Sequence, residues 1–120
     1  MNNTRLQKGF TLVEIMIVVV IIALLATLAI PALSKARTKA QGSAANSNLQ
    51  QLGNAAQQYF NENPGITSAA YTDLVGSTTD KQIHSITTQA GEDYSDVTIT
   101  NTQTQISVTS ATLGTITYNM

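Results

Sequence analysis

Residues Phe10 to Leu33 are the feature that most narrows what this chain can fold into. Over about 24 residues only Thr11, Glu14 and Thr27 are polar, and at ~1.5 Å per residue a helix of that length crosses a hydrocarbon core of ~30 Å. Valine and isoleucine are indifferent helix formers in water. In lipid, however, the backbone of a single segment can satisfy its hydrogen bonds only within itself, so a helix is forced. Pro31 lacks the N–H that would bond the Thr27 carbonyl, which predicts a local break near the far end. Glu14 is the outlier. A carboxylate well inside a membrane span costs roughly 2.5 to 3.5 kcal/mol on insertion scales, so its presence marks a functional position; the plainer alternative is an anchor whose Glu14 snorkels to the nearby interface.

After Pro31 the apolar residues turn from continuous to periodic. Ala36, Ala40, Ala45, Leu49, Leu52, Ala56, Tyr59 and Phe60 fall near one helical face, with Lys, Arg, Gln and Asn between them. The same helix therefore continues as an amphipathic one. Gly42 and Gly53 each weaken it by roughly 1 kcal/mol relative to alanine, so each is either a packing position or a flexible point. "NENPG" at residues 61–65 ends it. Residues 66–91 read as a loop with a short turn around "YTDL" and a strand near Ile83 to Ile86. In the tail, "DVTIT", "QISVT" and "GTITY" alternate apolar with hydroxyl residues at period two. Three antiparallel strands follow, with Val97, Ile99, Ile106, Val108, Ile116 and Tyr118 on one face, and Leu49, Leu52, Ala56 and Phe60 of the helix as the available cover. The expected fold is α+β: a long helix, transmembrane then amphipathic, packed by its second half against a small three- to four-stranded antiparallel sheet.

Composition removes several function classes. The 120 residues carry 11% charged side chains and a net charge of −1, so nucleic-acid binding is not indicated. With no cysteine, disulfides, thiolate chemistry and cysteine-ligated zinc are all absent. His84 is the single histidine, and no serine sits in a nucleophile motif, so no catalytic residue is assigned. Asp73, Asp80, Glu92, Asp93 and Asp96 match no calcium-loop spacing and read as an acidic surface; no metal or cofactor is expected.

The N-terminal "KGFTLVEI" decides between ways of using the apolar run. An ordinary secretory signal peptide has a core of 7 to 15 apolar residues and a small-residue cleavage site after it; "TLA" or "IPA" at residues 27–32 offers one, but this run is too long and contains Glu14. The stretch instead resembles the prepilin signal of type IV pilins and of the pseudopilins of type II secretion: a basic leader ending in glycine, then phenylalanine, then an apolar segment with glutamate four residues on. The resemblance is specific over Lys8 to about Pro31. It implies that a prepilin peptidase cuts between Gly9 and Phe10 and methylates the new Phe10 amine, and that the apolar segment is retained. On that reading residues 1–9 are a leader, 10–33 the transmembrane and filament-core helix, 34–61 the amphipathic helix of the head, 62–91 a connecting region and 92–120 the sheet.

Cleavage converts the Phe10 amide into a cationic amine one helical turn from Glu14, in reach of its own carboxylate or of a neighbour's. Pairing relieves part of the cost of burying either charge, which makes Phe10 and Glu14 the expected assembly residues. The resemblance implies a non-enzymatic subunit of a type IV pilus. Its partners would be further copies of itself in a helical filament, the prepilin peptidase, the inner-membrane assembly machinery and, before assembly, the lipid bilayer. It would reside as a single-pass inner-membrane protein and then in a pilus at the cell surface. The alternatives are a pseudopilin forming a periplasmic fibre for protein secretion, and a single-pass anchored β domain that binds a ligand. Basic residues do not orient the helix, because Arg5, Lys8 and the initiator amine on one flank are matched by Lys35, Arg37 and Lys39 on the other. That second cluster either pairs between subunits or lies against phospholipid headgroups.

Overall fold

A computed structural model describes residues 9–120. Six elements follow in order: α1 (Leu12–Glu62), β1 (Ser68–Ala70), α2 (Tyr71–Leu74), β2 (Thr98–Thr100), β3 (Gln105–Ser110) and β4 (Gly114–Asn119). The chain divides into a first compact unit ending at Ala36 and a second spanning Arg37–Met120. Of the expected leader, residues 1–8 lie outside the described residues.

In the first unit, α1 is long and apolar enough to cross a membrane. Its large apolar side chains from Phe10 to Leu33 are all between 49% and 83% exposed. Helix α1 is continuous from Leu12 to Glu62 with Pro31 inside it, so any loosening at Pro31 leaves it one helix. Proline removes one donor and leaves the rest of the ladder in place, and the Thr27 hydroxyl, which donates to the Leu24 carbonyl at 2.7 Å, adds a local bond just before it.

The second unit holds the core. Leu49, Leu52, Ala55 and Ala56 of α1 pack with Ala69, Leu74, Tyr94, Ile99, Ile106 and Val108. Ala36 and Ala40 remain exposed, so the buried face of α1 starts only at Ala45. At Gly53 a methyl group would stand 3.3 Å from Ile106 Cδ1 and from Met120 Cγ and Sδ, whereas nothing lies within 4 Å of the same position at Gly42. One glycine is therefore a packing residue and the other is not.

The strands are not joined in one three- to four-stranded sheet as expected. There are two two-stranded antiparallel sheets, β1 with β2 and β3 with β4. Strand β2 turns away from β3 and pairs with β1, Ala69 opposite Ile99, using residues from the region expected to be a loop. The β3–β4 hairpin keeps the expected apolar face, with Ile106 opposite Tyr118 and Val108 opposite Ile116. Ile83 forms a single parallel bridge to Val75, so the strand expected near Ile83 to Ile86 is absent. Period-two alternation specifies which face is buried, and it is silent on which neighbour each edge finds.

Candidate functional site

The residues singled out at the N-terminus lie together at the start of α1. Gly9 and Phe10 are exposed and precede the helix, so the peptide bond between them is in non-helical chain. Thr11 caps the helix: the Glu14 N–H donates to Thr11 Oγ1 at 3.3 Å, and the Thr11 N–H and hydroxyl both donate to Glu14 Oε2 at 3.2 Å. The Ile15 N–H to Thr11 carbonyl bond, 3.4 Å, closes the first turn. This is a reciprocal capping box, in which the side chain of each residue satisfies the amide of the other. Its signature, Thr-x-x-Glu ahead of an apolar run, is present in the sequence at Thr11 to Glu14. Both of the bonds that Glu14 accepts use Oε2.

What surrounds this site is as informative as the site. Each large apolar side chain left in water forgoes about 1.5–3 kcal/mol of burial. For the run from Phe10 to Leu33 the sum reaches tens of kcal/mol, more than the whole stability of a typical domain at about 5–15 kcal/mol. Among the described residues nothing covers these side chains, and the helix that carries them is long and apolar enough to cross a membrane.

The remaining candidates separate in the second unit. His84 is exposed. Among the described residues no three His, Cys, Asp or Glu side chains come together as metal ligands. Asp73 Oδ2 accepts the Ala70 N–H at 2.9 Å. Asp93 accepts the N–H and hydroxyl of Ser95, and these bonds hold its carboxyl below the ordinary range. Glu92 does not belong to an acidic surface, as expected from its neighbours, but is buried with only 4% exposure. Its Oε2 accepts the amides of Gln89 at 2.9 Å and Ala90 at 3.0 Å. Burial pushes its pKa up, and the amide bonds outweigh that and leave it lowered. Beside it, the Ser110 hydroxyl donates to the Ala90 carbonyl at 2.6 Å, and Glu92 bridges to Ser110. The same loop is tied to α1 by Asn48 Nδ2, which donates to the Thr87 carbonyl at 3.0 Å and to Tyr94 Oη at 3.3 Å. These acids are structural.

Comparison with known proteins gives similarity over the N-terminal segment and about half of the chain. A family model described as the prokaryotic N-terminal methylation motif matches residues 4–30. The chain is 46% identical over 56 residues to the type IV major pilin protein PilA of Myxococcus xanthus, covering 47% of this chain and 26% of that protein. It is 44% identical over 63 residues to type II secretion system core protein G of Escherichia coli, covering 52% of this chain and 43% of the relative. A fimbrial protein of Pseudomonas aeruginosa is 42% identical over 66 residues, covering 55% and 43% respectively. The chain thus spans less than half the length of these relatives. No solved structure matches it significantly. In its methylation motif, its long apolar helix and its α+β fold the chain is similar to type IV pilins and to pseudopilins of type II secretion. Its relatives include both pilus and secretion-system members.

Proposed function

We propose that the chain is a non-catalytic structural subunit of a type IV pilus, stored in the inner membrane by its apolar helix and assembled into a filament at the cell surface. The observation that carries this reading is the exposed run from Phe10 to Leu33 with Glu14 in its first turns. Such a surface is satisfied by lipid before assembly and by the same segment of other copies afterwards. Prepilin peptidase cleaves between Gly9 and Phe10 and methylates the Phe10 amine, as the resemblance implies, and the accessible non-helical chain at that bond is compatible with cleavage. The new ammonium and the Glu14 carboxylate then form a pair. When the ammonium belongs to an adjacent copy, each subunit added neutralises one buried charge and presents another, which sets the register of growth.

Intact mass of the membrane-extracted protein tests the processing step. A chain beginning at methylated Phe10 is expected; one beginning at Met1, or after Ala29, would refute it. A second reading, a pseudopilin of type II secretion, is favoured by the 44% identity to core protein G. Gene deletion separates the two: loss of surface fibres indicates the pilus, whereas loss of secreted proteins with fibres intact indicates the pseudopilus.

A further inference from the structure

We infer that Lys35, Arg37 and Lys39 form a cationic collar that binds the anionic headgroups of phospholipids where α1 leaves the membrane. This inference rests on the membrane-stored state proposed above.

Three observations lead to it. First, the collar is uncompensated. No Asp or Glu occurs between Glu14 and Glu62, so no carboxylate lies three or four positions away on the helix. All three cations are exposed, and the ion pair found among the described residues is Lys81 with Asp80, at 3.8 Å. Second, the height is right. From Leu12 to Lys35 the helix rises about 35 Å, just beyond a hydrocarbon core of ~30 Å. Lys35 to Lys39 then occupy about 6 Å along the axis, comparable with the ~5–7 Å headgroup layer of one leaflet. Third, the charges surround the helix. Successive members are turned by about 200°, so Lys35 and Lys39 lie on one side and Arg37 nearly opposite.

The third observation discriminates between partners. An acidic patch on one other copy of the chain would meet one side of the helix, so pairing between subunits would need at least two copies to reach all three cations. A headgroup layer encloses the helix and offers phosphates on every side, and long Lys and Arg side chains reach it while their methylene stems stay against lipid. Basic residues near an anionic surface contribute an attraction equivalent to about fivefold in association each.

The test uses the full chain reconstituted in phosphatidylcholine vesicles containing either spin-labelled phosphatidylglycerol or spin-labelled phosphatidylcholine. Electron paramagnetic resonance reads the fraction of each lipid held against the protein. The expected result is a preference for phosphatidylglycerol of about fivefold, lost at high salt and lost in the Lys35→Gln, Arg37→Gln, Lys39→Gln variant, which still inserts. Equal retention of the two lipids by an inserted wild-type chain overturns the collar and leaves the pilin reading standing. Failure of the wild type to insert overturns both. Because the chain has no cysteine, Arg37→Cys with Asp96→Cys reports the rival contact: disulfide capture between copies, with no lipid preference, would assign these charges to subunit pairing instead.

Discussion

Replacing Glu92 with glutamine separates charge from shape at the one buried carboxylate of the head. In the wild type Glu92 Oε2 accepts two amides, at 2.9 and 3.0 Å. A bond to an ionised acceptor contributes about 1.5–3 kcal/mol and one to a neutral acceptor about 0.5–1.5 kcal/mol, so two bonds lose about 2 kcal/mol on losing the charge. Part of that returns. The second oxygen, Oε1, is buried without a partner, and a buried charge is costly to keep dry. The net expectation is a destabilisation of about 1 kcal/mol at neutral pH, or about 4–8 °C in melting temperature for a head of this size. The pH dependence follows from the lowered pKa of Glu92, whose ordinary value is 4.5. A depressed folded pKa contributes stability that is present above pH 4.5 and is lost as pH falls through the lower folded value. The variant lacks this dependence, so the two melting curves should converge in acid. Thermal unfolding of detergent-solubilised wild type and Glu92→Gln, followed by circular dichroism from neutral to acidic pH, reads both effects. Equal or greater stability of the variant at neutral pH, or a constant gap at every pH, would refute the reasoning.

Other perturbations probe the remaining parts. Glu14→Ala should insert in membranes normally yet be missing from sheared filaments; normal filament content would remove Glu14 from assembly. Ile106→Ala, at a fully buried position, should cost about 2–5 kcal/mol in chemical denaturation. Gly53→Leu should cost about 1–3 kcal/mol by overpacking against Ile106 and Met120, while Gly42→Ala should gain up to about 1 kcal/mol from helix propensity alone. Asn48→Ala removes the donor shared by Thr87 and Tyr94 and should cost about 1–3 kcal/mol, with faster amide exchange confined to the loop around residues 87–94.

The apolar half of α1 and its end were legible from the residues alone. A long run of Val, Ile and Leu has a single solution in lipid, and "NENPG" carries both a proline and a glycine where the helix stops, at Glu62. The odd charge at Glu14 could likewise be picked out as a local departure from its surroundings, whereas the proposed cleavage pair Gly9 and Phe10 is carried by the resemblance to the prepilin signal. Tertiary structure decided what depends on partners far along the chain. It placed β2 beside β1 instead of β3, because alternation orients side chains without naming the neighbouring strand. It drew Glu92 into the interior, where the amides of Gln89 and Ala90 converge on its carboxylate and the Ser110 hydroxyl at the end of β3 bonds the Ala90 carbonyl of the same loop. It also distinguished Gly53 from Gly42, two glycines of one helix, through the approach of Ile106 and Met120, which lie more than fifty positions further on.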